Sequence, residues 1–443
     1  MNDVLIPLAN GEPDNVVVIR DKQRISLAGL IGCAVALADT LPPAAYYVPL
    51  CRDRYNFAVA FCAALIKNAT NLLPPNRQAV TVNEIGKNYS DCICLYDSEM
   101  ELPSFRCINV TEVTDKNYSS DTIPSINSQH IAAIAFTSGS TGTPVPHKKR
   151  WRTFVGTTQK LAHRFFGDQS AEPTLVATVP SQHMYGLEMT VLMMLHGGCI
   201  MDAGHPFYPQ EVIARLQAIA EPRVLVTTPI HMRSLTGSGL AIPVIAKTIS
   251  ATAPLPAELA AEAEKTFGGP VEEIYGFTEA GSAATRRTVA GARWDLLDGM
   301  QLSLRNEEIV VSGDHLDGIT PLQDKLNVLS PTQFEFIGRN SDLLNVGGKR
   351  ASLADLSHKL LLLEGVDDAI VFLPDDNSES LTQRPAALLV TQVDKQTICR
   401  RIAEIIDPVF VPRPIKVVDK LPRSENGKLQ RAQLLQLIQS EHE

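Results

Sequence analysis

A series of short apolar segments, each followed by a helix-like or polar stretch, restricts this chain to an architecture built on parallel strands. YYVPL (46–50) reads as a strand, and RYNFAVAFCAALIKN (54–68) as the helix whose apolar residues cover it. IAAIAFT (131–137), TLVATVP (174–180), RVLVTTP (223–229) and VIAKTIS (244–250) continue the series. Such alternation predicts an α/β fold around a parallel sheet. The strands at 131–137, 174–180 and 223–229 each end just before a loop rich in Ser, Gly, His or Thr. Ligands in open α/β sheets bind beyond the carboxyl ends of strands, so the chemistry is expected in these loops.

The texture changes after Arg339. A turn (NVGGKR), a helix (SLADLSHKLLLLEG), two strands (DDAIVFLP, AALLVTQV), a helix (KQTICRRIAEII) and a polar tail follow. That order predicts a small α+β domain over 340–443, hinged near GRNSD (338–342), after a large domain over 1–339. A length of 443 residues suits one large domain plus a smaller one.

Composition excludes several classes of function. A formal net charge of −9 argues against a nucleic-acid binder, which needs a concentrated basic surface. The eight cysteines are scattered, and Cys92 and Cys94 lack the spacing of a zinc or dithiol site, so reduced and mostly buried thiols are expected. The start MNDVLIPLANGEPDN has no signal-peptide pattern, and the apolar stretch 27–41 is too short to span a bilayer and contains Asp39. A cytoplasmic protein without membrane insertion is expected.

The strongest chemical signal is FTSGSTGTPVPHKK (136–149), a hydroxyl- and glycine-rich loop directly after a buried strand. Glycines let the backbone approach a phosphate, and Ser and Thr hydroxyls can donate to its oxygens. Thr137, Ser138, Gly139, Ser140, Thr141 and Gly142 would form the cradle. The spacing of Gly139 and Gly142 is not that of a Walker A loop. A plain flexible surface loop is the alternative for this string taken alone.

TSGSTGTP resembles the phosphate-loop motif of the ANL superfamily, which comprises acyl- and aryl-CoA synthetases, nonribosomal-peptide adenylation domains and luciferases. Four further segments resemble that family's motifs, in the family's order: PSQHMYG (180–186), YGFTEAG (275–281), FIGRNSDLLNVGGKR (336–350) and LPRSENGKLQR (421–431). The resemblance implies a large domain of parallel-sheet α/β subdomains and a small mobile α+β domain. It also implies ATP-dependent activation of a carboxylic acid as acyl-AMP, with release of pyrophosphate, then transfer to a pantetheine thiol of CoA or of an acyl carrier protein.

The same resemblance assigns roles. Tyr275, with Gly276, would stack on adenine, Thr278 would contact the α-phosphate, and Glu279 would help hold Mg²⁺. Asp324 and Arg339 would bind the ribose. Lys428 would be the catalytic cation of adenylation, because a charge between substrate carboxylate and α-phosphate offsets the charge that builds during attack. His183 reads either as a gate between acyl pocket and thiol tunnel or as a satisfied core histidine. Gly348 would let a pantetheine arm pass, and Lys349 or Arg350 would meet its phosphate. SATAPL (250–255) would border adenine through Ala253. Candidate acid-pocket residues are His183, Tyr185, Ala251, Ala253 and Phe277, a set that suits an aromatic ring or a medium acyl chain.

Four departures from the family pattern stand out. Val145 occupies the usual phosphate-loop lysine position, so that either Lys148 or Lys149 supplies the charge or the charge is missing. Ser341 occupies the hinge position, and Leu322-Gln323-Asp324 replaces a Thr-Gly-Asp. The stretch between YGFTE and GRNSD is short, which predicts a trimmed β-barrel part. A catalytically silent nucleotide-binding homologue and an adenylating enzyme without the thiol step are the alternatives. The compact body and PVPHKKRW resemble ligases found beside bacterial aryl polyene genes, which would imply an aromatic acid and a carrier-protein acceptor.

Overall fold

A computed structural model describes residues 4–138, 144–167, 172–306, 308–339, 343–346, 349–374, 384–423, 429 and 431–439. The chain divides into two compact units, one of residues 1–303 with 310–320 and one of residues 304–309 with 321–443.

Two large sheets dominate the first unit. In one, strands Ile131–Ser138, Thr70–Leu73, Tyr46–Pro49, Cys92–Tyr96 and Cys107–Asn109 run parallel, and Pro144–Arg150 pairs antiparallel at its edge. In the other, Val271–Phe277, Lys247–Ser250, Arg223–Thr227, Thr174–Ala177, Ile200–Asp202 and Val16–Arg20 are parallel. Antiparallel strands Gly281–Arg287 and Gln23–Ser26 flank this run. The parallel strands are short and mostly buried on both faces, which is why they read as continuous apolar runs.

Helices fill the space that these sheets leave. Arg54–Ile66 is buried from Arg54 to Leu65, and its N-cap Asp53 accepts from the Asn56 N–H. One apolar cluster joins Phe57 and Phe61 to Trp151 and Phe154, to Leu27, Leu30 and Ile31 of a second helix, and to Leu187–Leu195. It reaches Leu73, Leu95, Ala132 and Ala133 of the first sheet and Val18 and Met201 of the second. Both sheets therefore share one core.

Arg54 is the unusual member of that buried helix, only 1% exposed. Its guanidinium donates to the carbonyls of Ala177 and Val179 at 3.0 Å, to Gly204 at 3.4 Å and to the Ser181 hydroxyl at 3.0 Å. The first sheet's helix is thereby pinned to the carboxyl ends of two strands of the second.

In the second unit, Asp324–Ser330 pairs with Gln333–Arg339 and Leu343–Val346 pairs with Lys349–Ser352, both antiparallel. Val346 and Lys349 are register partners, and residues 347 and 348 of the expected NVGGKR turn lie outside the described residues. Val366–Phe372, Ala386–Thr391 and Ile415–Val417 form a sheet packed on helices Leu353–Leu361 and Lys395–Ile405.

The expected polar tail is in part a helix, Arg431–Gln439. Leu434 is buried, and Leu435, Leu437 and Ile438 pack beside it against Phe372, Leu388 and Leu421. The apolar residues of RAQLLQLIQ form a stripe that the many glutamines obscure. No helix among the described residues is long and apolar enough to cross a membrane. All eight cysteines are free, and six are buried.

Arg54→Met is expected to destabilise the first unit by about 3 kcal/mol, because several buried carbonyls lose their donor at once. Urea unfolding followed by far-UV circular dichroism measures this. A cost below about 1 kcal/mol would show that the guanidinium is dispensable as a tie.

Candidate active site

The hairpin formed by Ile131–Ser138 and Pro144–Arg150 carries the glycine-rich loop at its tip. Gly139, Ser140, Thr141 and Gly142 lie outside the described residues, as do Gly348 and Lys428; Ser138 is described only in its backbone. Just below the loop, the Thr137 hydroxyl and His147 Nε2 share a hydrogen bond at 3.2 Å. His147 Nδ1 stands 3.8 Å from the Glu279 carboxylate. The phosphate-loop hairpin and the YGFTE segment therefore meet, with Thr137, His147 and Glu279 on one side of the junction.

Thr278 and Glu279 sit in a tight turn after strand Val271–Phe277, closed by the Ala280 N–H donating to the Phe277 carbonyl. Glu279 is exposed and Thr278 half-buried. Two buried charges underlie this turn. Lys149, 2% exposed, donates from Nζ to the Glu279 carbonyl at 2.6 Å. Glu188, also 2% exposed, accepts from the Ser282 N–H at 3.2 Å and from its hydroxyl at 2.5 Å. Burial pulls the Lys149 amine down to about 8, against the pull of Glu188, Glu279 and Asp317. Burial likewise raises the Glu188 carboxyl, which Ser282 and Lys149 oppose. The His147 imidazole is lowered chiefly by burial, although Glu279 favours its charge.

Lys148 is exposed on the opposite face of the strand, whereas Lys149 is already engaged with main chain. Val145 is also exposed. Of the two lysines offered for the loop's missing charge, Lys148 is the one pointing outward.

PSQHMYG owes its glycine to a close approach: a Cβ on Gly186 would lie 1.9 Å from the Pro180 carbonyl oxygen. That approach curls the loop so that His183 caps the short helix Met184–Leu187. His183 is half-buried. The Tyr185 hydroxyl donates to the Ile249 carbonyl at 2.7 Å and contacts that of Thr227 at 3.2 Å, tying two strand ends, and burial pushes its phenol up. Ala251 is buried and Ala253 exposed on the neighbouring loop. Between them Thr252 holds φ +79°, a left-handed conformation that is uncommon for a β-branched residue and recurs at ligand sites.

Tyr275 packs its ring against Phe277 at 6.1 Å and edge-on against Trp294 at 5.8 Å. Gly276 beside it is exposed. Beneath, buried Glu273 accepts from Arg286 and Thr288 at 2.6 Å and from the Leu255 N–H at 3.1 Å, joining the SATAPL loop to the Tyr275 strand. In the second unit, Asp324 and Arg339 are register partners across a hairpin, with only the backbone of Arg339 described. Lys349 opens the strand Lys349–Ser352. Arg423 of LPRSENGK forms a two-pronged ion pair with Asp368, both contacts at 2.7 Å. Its backbone also forms an antiparallel bridge with Leu429.

Sequence reading missed Arg54, Glu188 and His231. His231 Nδ1 sits between the hydroxyls of Thr228 at 3.0 Å and Thr178 at 3.1 Å. Nothing marks these residues in isolation, since a charged or imidazole side chain on a helix ordinarily faces solvent.

Among the described residues no cluster of three or more His, Cys, Asp or Glu could hold a metal. One exposed carboxylate, Glu279, near a hydroxyl-rich hairpin suits Mg²⁺ carried in with nucleotide phosphates, which needs only one or two protein carboxylates.

Comparison with known proteins agrees with this geometry. A model of AMP-binding enzymes matches residues 56–317, and a model of the AMP-binding enzyme C-terminal domain matches residues 358–428. The chain is 27% identical over 318 residues to a 4-coumarate–CoA ligase of Halorhodospira halophila, a match covering 68% of this chain and 76% of that protein. It is 23% identical over 309 residues to a 3,4-dihydroxybenzoate–[aryl-carrier protein] ligase of Bacillus anthracis, covering 67% and 72% respectively. In fold it is similar to O-succinylbenzoate CoA synthetase of Bacillus subtilis in complex with AMP, with a TM-score of 0.79 at 19% identity and 96% of each chain covered. That enzyme has also been solved with ATP and magnesium ion.

Burial lowers His231 and His196 from the ordinary 6.5 to about 4, so both are neutral in the folded chain at neutral pH. Above pH 6.5 neither affects stability. As pH falls from 6.5 to about 4, the unfolded chain takes up protons that the folded chain refuses, and each site costs up to about 3 kcal/mol. Thermal midpoints of the wild type and His231→Gln over that range test this: the variant is expected to show the shallower acid slope. Equal slopes would mean that His231 does not titrate there.

Proposed function

As the chain belongs to the AMP-binding enzyme family, an AMP-forming acid–thiol ligase, we propose that it activates an aromatic carboxylic acid as its acyl-adenylate. The acyl group then passes to the pantetheine thiol of an acyl carrier protein, with CoA as the other acceptor of this chemical class. The observation that carries the reading is the junction of Thr137, His147 and Glu279. There the strand end that leads into the hydroxyl-rich stretch and an exposed carboxylate both meet His147, a pairing that suits a magnesium-bound triphosphate.

In the first step a carboxylate oxygen attacks the α-phosphorus of ATP and pyrophosphate leaves. Thr278 donates its hydroxyl to the α-phosphate, Glu279 holds the Mg²⁺ that arrives with ATP, and Tyr275 lies against adenine. Lys428 supplies the cation between acid and phosphate. In the second step the thiolate attacks the acyl carbon and AMP leaves. His183 gates the passage between acid and thiol, Gly348 leaves room for the pantetheine arm, and Lys349 meets its phosphate. The working boundary falls between residues 339 and 340, so that the mobile part brings Lys428 for one step and Gly348 for the other.

The aromatic assignment rests on Tyr185 and Phe277 beside small Ala251 and Ala253, and on relatives named for 4-coumarate and 3,4-dihydroxybenzoate. The second relative's carrier-protein acceptor favours a carrier here, as does the likeness to aryl polyene ligases. A cytoplasmic location accords with eight free thiols.

Acid-dependent exchange of labelled pyrophosphate into ATP, across a panel of hydroxylated benzoates, cinnamates and medium-chain acids, tests the reading. At least one aromatic acid is expected to support exchange, and Lys428→Ala is expected to lower the rate by about 10²–10³. Silence of the wild type across the panel would sink it. Thioester formed as readily on CoA as on any carrier protein would overturn the carrier assignment alone.

A further inference from the structure

Strand Pro144–Arg150 is an edge strand, where alternate side chains face opposite ways. A lysine buried on such a strand is expensive to keep charged and needs acceptors in place of lost water. Lys149 has them. Its Nζ donates to the Glu279 carbonyl at 2.6 Å, and the buried Glu188 carboxylate favours its charge.

Glu188 comes from the helical segment that follows PSQHMYG. It accepts from both the N–H and the hydroxyl of Ser282. Gly281, between the two anchored residues, holds φ +84°, and a Cβ there would lie 2.5 Å from Glu188 Oε1. The carboxylate thus presses against the backbone where only glycine fits. The turn is held twice, at its carbonyl by a cation and at its N–H by an anion, with Ala280 and Gly281 between the two holds.

We propose that Lys149 and Glu188 are positioning residues, a buried charged clamp that sets the Phe277–Ser282 turn so that Thr278 and Glu279 face the nucleotide. The inference rests on the roles given above to Thr278 and Glu279. It explains why three motifs, the phosphate-loop hairpin, PSQHMYG and YGFTEAG, meet at one turn that a buried cation and a buried anion both hold. Neither clamp residue touches the nucleotide; both act through the main chain of the turn.

The test separates positioning from simple charge compensation. Lys149→Met alone leaves the buried Glu188 without the nearby cation that favours its charge and is expected to destabilise the chain. Lys149→Met combined with Glu188→Gln removes both charges and is expected to recover most of the thermal midpoint. Its affinity for Mg·ATP by calorimetry should still fall about tenfold, with a comparable loss in kcat of pyrophosphate exchange, because the turn has lost its holds. Ser282→Ala removes the hydroxyl bond to Glu188 while keeping the N–H bond, and is expected to weaken Mg·ATP binding about threefold with only a small fall in thermal midpoint. Wild-type Mg·ATP affinity and kcat in the double variant, or in Ser282→Ala should the double variant not fold, would overturn the clamp. If the wild type exchanges with no acid, the acid-activation reading falls, while the Mg·ATP affinities still decide the clamp.

Discussion

The molecule depends on a guanidinium placed where no carboxylate reaches it. Arg54 makes its hydrogen bonds to carbonyls and hydroxyls, and Asp53 and Asp202 favour its charge only from a distance. Burial lowers its pKa to about 10, yet it stays charged at neutral pH. Only arginine offers five donors in a rigid fork that can satisfy main-chain carbonyls diverging from several strand ends. The carbonyls at 177, 179 and 204 belong to the carboxyl edge of the second sheet, the edge on which the candidate site is built. A tie at that point fixes the sheets' common core and the start of the PSQHMYG loop together.

The same logic recurs across the site. Glu273 joins the SATAPL loop to the Tyr275 strand, Tyr185 joins two strand ends, and Arg423 pairs with Asp368 of the strand Val366–Phe372. Each bond ties one stretch of chain to another, and the residues offered for chemistry are left half-buried or exposed: Thr278, Glu279, His183 and Tyr275. A buried polar network is rigid because breaking any bond strands a partner in a medium that cannot solvate it. Loops that must meet a polyanion are thereby made stiff without giving up their own polar side chains.

This division explains what could be read from the residues alone. The parallel strands were legible because burial on both faces leaves uninterrupted apolar runs such as TLVA and RVLVT. The loops were legible because a phosphate demands glycine and hydroxyls in a row. Arg54, Glu188 and Lys149 were not, because their meaning is set by partners 123, 94 and 130 residues away. Lys149 was noticed for its charge and given an outward task, and only the strand's register shows that its neighbour Lys148 faces out. The closing helix was hidden by glutamines around Leu434, whose burial depends on contact with a distant sheet.

Ties of the same kind hold each unit by itself. In the second unit Arg423 is paired to Asp368 and bridged to Leu429, and Leu421 is buried. The Thr278–Glu279 turn is anchored, just as firmly, within the first unit. Each unit therefore keeps its own backbone and loops in place with hydrogen bonds of its own.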